Sequence, residues 1–277
     1  MKLRKASAAA SAAIVLALTA TACGGDKNDS GDSGDGGGKV TIGIKVDQPG
    51  LGQETPDGYE GFDVDVATYV AKELGYDEKD IEFKEAPSAE RENLLRRGDV
   101  DFIVATYSIT DERKEKVSFA GPYFLAHQDL LVRADDNVTK GDDLNGKKLC
   151  SVTGSTSAQN VKNDFAPKAQ LQEYGGYSEC LSGLESGAVD ALTTDDSILA
   201  GYAAQEQYKG KFKLAGLNLS DENYGIGIKK GDTDLQGKIN KALEKMVEDG
   251  SWEKSVKENF GPANYENEPA PAITEKG

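Results

Sequence analysis

Apolar runs with strand spacing alternate with runs of helical spacing through most of this chain. Val40–Val46 reads as a strand, and Asp63–Leu74 as a helix whose Val64, Ala67, Val70, Ala71 and Leu74 recur on one face. Ile81–Lys84 and Val100–Ala105 read as strands around a helix at Ser88–Arg97. A second unit of the same kind begins near Leu130, with strands around Leu149–Val152, Leu171–Tyr174 and Val189–Leu192 and helices between them. Gly225–Lys229 predicts a further strand and Lys238–Phe260 a closing helical region; the acidic, Pro-containing residues 263–277 predict a loose tail. Such alternation predicts an α/β fold with largely parallel sheets. Ligands of open α/β sheets sit beyond the carboxyl ends of strands. Lys45, Asp47, Thr106, Ser108, Gly154–Thr156 and Asp195 all fall at such places.

Between Gly98 and Phe124 the polar pattern departs from what helix electrostatics favours. Thr110 is a good N-cap, and Asp111 and Glu112 suit the positive end of a helix dipole, but Arg113 stands three residues past the cap. A capping box places Glu or Gln there. An anion held between the arginine, the helix start and nearby hydroxyls accounts for it; a solvated arginine paired with Glu112 or Glu115 is the other reading. The pattern recurs at Pro87-Ser88-Ala89-Glu90-Arg91, where Arg91 again follows an apparent cap by three residues. Arg96 and Arg97 lie at the far end of that helix, where cations belong. Two misplaced arginines flanking one strand point to a ligand with two carboxylates. Gly154–Thr156 opens a further helix over Ser157–Phe165, and Asp195 reads either as a site residue or as a helix cap.

The first 22 residues predict a targeting segment. Lys2, Arg4 and Lys5 form a basic region, Ala8–Leu18 an apolar one, and Ala20–Cys23 a processing site rich in small residues. Cleavage before Cys23 resembles a bacterial lipoprotein signal, with lipid carried on that cysteine; an ordinary small-residue signal-peptidase site is the alternative. Residues 23–38, Gly-, Ser- and Asp-rich, predict a flexible tether. Without the three basic residues of the leader, 29 Lys and Arg face 48 Asp and Glu. That balance argues against nucleic acid and against general attraction to anionic lipid. Cys150 and Cys180, in an exported chain, are most simply a disulfide. A thiol nucleophile or metal pair is the other reading, though neither has a histidine beside it.

Longer motifs carry a resemblance to a known family. Gly58–Ala67 (GYEGFDVDVA), Leu94–Phe124 and Gly187–Asp195 (GAVDALTTD) are similar to segments of the solute-binding proteins of polar amino-acid ABC importers, family 3. Pro87–Arg91, Cys150–Thr156, Tyr177–Cys180 and Thr193–Tyr202 most resemble the glutamate-binding lipoproteins of actinobacterial importers. The resemblance implies a type II periplasmic-binding fold: lobe 1 from residues 39–128 and 224–262, lobe 2 from 129–223, joined by two hinge strands. It further implies that Arg113 grips the α-carboxylate of an amino acid, assisted by Thr106, Ser108 and Thr156. Asp195 is implied to take the α-ammonium, Arg91 and Lys45 the side-chain carboxylate, and Tyr177 to reach the ligand from lobe 2. A lipid-anchored monomer outside the cytoplasmic membrane, delivering glutamate or also aspartate to an ABC permease without metal or cofactor, follows from the same likeness, with another polar amino acid such as glutamine as the alternative ligand.

The rival is an enzyme on the same fold, since dehydratases and lyases share it. The chain has one histidine, His127, and no Gly-x-Ser-x-Gly motif, so a hydrolase triad has little support. His127 is expected to pack in the hinge, Trp252 to anchor the last helix, and Asp63 and Asp65 to serve as cap and surface positions.

Overall fold

In the computed structural model, which describes residues 38–276, the predicted alternation builds one mixed sheet running through two lobes. Residues 1–22, Cys23 and nearly all of the 23–38 stretch lie outside the described residues. The chain starts with β1 (Val40–Ile44), β2 (Asp47–Gln48), β3 (Gly52–Thr55), β4 (Gly58–Glu60), α1 (Phe62–Glu73) and β5 (Ile81–Glu85). Next come α2 (Arg91–Arg97), β6 (Phe102–Ile103), α3 (Asp111–Lys116) and the long β7 (Ser118–Arg133). Then follow β8 (Lys148–Val152), α4 (Thr156–Asn160), β9 (Gln170–Tyr174), α5 (Tyr177–Ser186), β10 (Ala191–Asp195), α6 (Asp196–Ala204) and β11 (Phe212–Leu214). The chain returns through β12 (Asp221–Ile228), α7 (Thr233–Glu248) and α8 (Ser251–Phe260).

The strand order β5-β1-β6-β12-β7-β10-β8-β9, with β11 also on β7, explains where the parallel expectation stops. The β5-β1-β6 and β10-β8-β9 groups are parallel. Between them, β12 and β7 run antiparallel to each other and to their outer neighbours. β7 pairs with β12 from Ser118 to His127 and with β10 from Gln128 to Leu131, so it passes from one lobe to the other at His127. A strand serving both sheets must enter one of them against the grain. His127 lies half-buried at this crossing, its Nδ1 3.0 Å from Asp221 Oδ1.

β2, β3 and β4 form a small meander after β1, in a stretch with no hydrophobic alternation to announce it. Beneath the crossing, Phe62 of α1 packs against Phe124 of β7 and Trp252 and Phe260 of the closing helices. Trp252 anchors α8 as expected, its Nε1 donating to the Tyr123 carbonyl at 2.8 Å. The tail, in contrast, is not loose. Tyr265 packs on Phe124 and Phe260, Ala270 and Ile273 lie against the core, and Thr274 and Glu275 donate their N–H groups to the Gly121 carbonyl. Its few apolar residues are spaced to reach the core one at a time, which composition alone hides.

The Cys150–Cys180 disulfide is present, tying the middle of β8 to α5 with both residues fully buried. Replacing both with serine is expected to lower unfolding free energy by about 3–4 kcal/mol, since a loop of 30 residues is freed in the unfolded chain. Denaturant melts of oxidised wild type against the double variant measure it.

Candidate functional site

Three cations form one wall of the cleft, each placed by the end of a strand or start of a helix. Lys45 follows β1 and donates from Nζ to Ser88 Oγ at 2.8 Å. Ser88 is therefore not a helix cap: α2 begins only at Arg91, with no side-chain cap, which leaves the hydroxyl to accept from Lys45. Arg91 is 2% exposed; its Nη1 donates to the Ala105 carbonyl at 3.0 Å and lies 3.4 Å from the Thr106 carbonyl. The Thr110 cap is as expected, its Oγ1 accepting from the Arg113 N–H at 3.2 Å. The guanidinium of Arg113 then folds back to donate from Nη1 to the Ser108 carbonyl at 2.7 Å.

Tyr107, unnoticed in the sequence, organises this wall. The guanidinium carbons of Arg91 and Arg113 lie 4.0 and 5.0 Å from its ring centroid, and its hydroxyl donates to Glu92 at 2.7 Å. Each cation thus gains the negative face of a π system in a water-poor setting. Of the three, Arg113 alone has a carboxylate within 4.0 Å among the described residues, that of Glu92. Burial, reinforced by the charge of Arg91, pulls the Lys45 ammonium down to about 7. Burial and then Arg113 bring Arg91 down to about 10.

Thr106 has φ of 45°, a region that β-branched residues rarely enter. Asp63 holds it there: one carboxylate oxygen accepts the Thr106 N–H at 2.8 Å, the other the Tyr123 hydroxyl at 2.7 Å. Asp63 is thus fully buried and not a cap or surface position, whereas Asp65 is exposed, accepting from Ser255 and Asn259. Burial pushes the Asp63 carboxyl up to about 6 despite both donors. The Thr106 hydroxyl meets the Ala105 carbonyl and, at 3.2 Å, Gln48 Oε1. Two buried N–H donors on this wall, Gln48 Nε2 and Arg91 Nε, have no hydrogen-bond partner among the described residues.

The facing wall is acidic and hydroxylic. Asp195 ends β10, and although α6 starts directly after it, its carboxylate makes no cap. It accepts instead from the Tyr224 hydroxyl at 2.6 Å and lies 3.4 Å from Ser157 Oγ. Burial, then the neighbouring charge of Glu222, holds its carboxyl well above the ordinary carboxylate range. Thr156 opens α4 and donates to Glu222 Oε2 at 2.9 Å. Tyr177 opens α5, buried, with its hydroxyl pushed upward by that burial. Glu222 carried no local signal, standing among polar residues at the start of β12.

The two walls meet. Arg113 Nη2 donates to the Gly154 carbonyl at 3.1 Å, and Ser108 Oγ lies 3.5 Å from Thr156 Oγ1. All eight residues singled out in the sequence (Lys45, Arg91, Thr106, Ser108, Arg113, Thr156, Tyr177 and Asp195) are buried in or beside this cleft or intermediate at its edge. The β2 segment also reaches across: the Tyr202 hydroxyl of α6 donates to the Asp47 carbonyl, and Ser178 Oγ lies 3.4 Å from Asp47 Oδ2. Charges of one sign on one wall and of the other sign opposite suit a zwitterion that bridges both.

Residues 40–262 match the bacterial extracellular solute-binding proteins, family 3. The glutamate-binding protein GluB of Corynebacterium efficiens is 49% identical over 267 residues, covering 92% of this chain and 90% of that one. The ABC transporter glutamine-binding protein GlnH of Bacillus subtilis is 41% identical over 222 residues, covering 79% and 80%. A solved structure of an ancestral arginine-binding protein bound to glutamine aligns with a TM-score of 0.75 at 36% identity, over 81% of this chain and 98% of that one. The chain belongs to family 3 of the bacterial extracellular solute-binding proteins. It is a binding protein and not an enzyme.

Gly201 of α6 offers a test of this closed arrangement. A Cβ built there would lie 2.0 Å from the Pro49 carbonyl oxygen, which is backbone and cannot step aside. Gly201→Ala is expected to obstruct the approach of the two segments. It should weaken ligand binding by about tenfold or more while leaving ligand-free stability within about 1 kcal/mol, since helix interiors favour Ala over Gly. Calorimetric titration beside thermal melts of the free protein separates the two effects.

Proposed function

We propose that this protein captures glutamate between its lobes outside the cytoplasmic membrane and delivers it to an ABC-type amino-acid importer. The observation that carries the choice of ligand is the burial of Lys45 and Arg91 with no carboxylate partner among the described residues. Uncompensated buried charge is costly, and a ligand carboxylate placed between these two cations removes that cost. A glutamine amide would not. Arg113, with its fork of donors, is suited to the α-carboxylate, Thr106, Ser108 and Thr156 to assisting it, Asp195 to the α-ammonium, and Tyr177 to contact from lobe 2. Each charge-assisted bond contributes about 1.5–3 kcal/mol, so a handful gives micromolar binding.

The 49% identity to a glutamate-binding protein supports the same reading. Glutamine is the second reading, favoured by the 41% identical glutamine-binding relative. Because the two charged ends of the ligand engage opposite walls, the closed form satisfies both, and ligand shifts the population toward closure. A permease that recognises the closed shape then docks loaded protein in preference to empty and receives its ligand. Lipidation at Cys23 and a tether over residues 23–38 complete the reading, anchoring a monomer to the outer face of the membrane.

Calorimetric titration with glutamate, aspartate, glutamine and arginine is expected to show glutamate bound most tightly. Arg113→Ala should abolish binding of every amino acid. Arg91→Ala should weaken glutamate about 10- to 100-fold more than glutamine. Equal losses for the two ligands would remove Arg91 from the side-chain site.

Affinity should also peak near neutral pH. A ligand carboxylate raises the Lys45 ammonium from about 7, so binding takes up a proton and affinity falls as pH climbs above that value. A ligand ammonium lowers the raised Asp195 carboxyl, so binding on the acid side releases a proton and affinity falls as pH drops. Lys45→Gln is expected to flatten the alkaline limb and leave the acid limb, read from dissociation constants between pH 5 and 9.

A further inference from the structure

Glu222 is a buried carboxylate that the assignment above leaves without a task. It is 2% exposed and sits on β12 opposite Ala126, at the crossing between the lobes. Its hydrogen bonds among the described residues come from two hydroxyls, Thr156 Oγ1 at 2.9 Å and Ser220 Oγ at 2.8 Å. Asp195 is in the same position, with Tyr224 OH and Ser157 Oγ as its partners.

The partners of these two carboxylates interleave. Thr156 and Ser157 are consecutive at the start of α4, while Glu222 and Tyr224 stand two apart on β12 and share a face of the strand. Neither carboxylate has a lysine or arginine within 4.0 Å among the described residues. Two adjacent buried carboxyls, each satisfied by neutral donors alone, resist both being ionised, and a cation beside them favours the doubly charged form.

We propose that Glu222 and Asp195 together form a two-carboxylate receptor for the ligand's α-ammonium, so that Glu222 determines specificity for primary amino acids over plain dicarboxylic acids. This rests on the glutamate reading. An ammonium has three N–H donors in a fixed tetrahedral spread, more than one carboxylate satisfies without straining the geometry. A second carboxylate, reached through the Thr156 end of the cleft, takes a donor that Asp195 leaves. A dicarboxylate without the amino group would leave both acids uncompensated and be rejected.

The test uses the folded protein with glutamate and with glutarate, which keeps both carboxylates and lacks the amino group. Wild type should bind glutamate and discriminate strongly against glutarate. Glu222→Gln keeps the shape and acceptor oxygen but removes the charge. It is expected to lose about 10- to 100-fold in glutamate affinity while glutarate affinity stays level or rises, so the preference collapses. The acid limb of the glutamate affinity profile should also move to lower pH, because Asp195 no longer faces a second negative charge. Equal losses for the two ligands, with an unmoved acid limb, would make Glu222 a structural latch on Thr156 and overturn the proposal. Should Glu222→Gln fail to fold, Glu222→Asp withdraws the charge by one methylene and must still cut the glutamate-to-glutarate ratio; an unchanged ratio overturns the idea. If wild type ignores glutamate but the fold is intact, the glutamate reading fails and this proposal falls with it.

Discussion

Confinement of like charge governs this cleft. Lys45, Arg91 and Arg113 are all buried within one wall, and their mutual repulsion is offset locally by carbonyl oxygens, by the face of Tyr107 and by the one carboxylate of Glu92. Much of the surrounding structure serves to hold those compensations in place. Asp63, deep in the core, grips the N–H of Thr106 and keeps that residue at a positive φ, which fixes where the Ala105 and Thr106 carbonyls meet Arg91. The strain of the turn and the burial of the Asp63 carboxyl are both sustained by packing beneath the crossing strands. A wall of this kind is stable enough to fold, yet it remains electrostatically short of anions.

The opposite wall is short of cations in the same way. Asp195 and Glu222 are buried among hydroxyls, and they ride on elements that the crossing strands position: β10 pairs with β7, and β12 is itself a crossing strand. One segment of backbone thus sets both the sheet topology and the separation of the two charged walls. Contacts from Arg113 to Gly154, Ser108 to Thr156 and Tyr202 to Asp47 join the two walls directly. In the reading proposed above, a zwitterion with an extra carboxylate supplies what each wall lacks, and binding and closure become one event in free-energy terms.

The sequence by itself determined the α/β class, most of the helices and parallel strands, and the disulfide pair, and together with the family resemblance it singled out eight residues that lie in or beside one cleft. The reason is that these signals are local: hydrophobic period, caps, and cations placed against a helix dipole at Arg91 and Arg113. A local signal with two possible causes is misleading. Ser88 looked like a cap because it precedes a helix, but its hydroxyl answers to Lys45, 43 residues away in the chain. Asp63 looked like a cap for the same reason and is buried, because Thr106 and Tyr123 arrive from elsewhere to satisfy it.

Tertiary structure alone decided the rest. The antiparallel entry of β7 and β12, the meander of β2 to β4 and the seating of the tail on Gly121 all depend on partners far away in the chain, which no window of sequence contains. Glu222 belongs with them. Its residue type is ordinary for an acidic exterior, and only burial beside Asp195, brought about by the crossing of two strands, turns an unremarked glutamate into a charge that needs a partner.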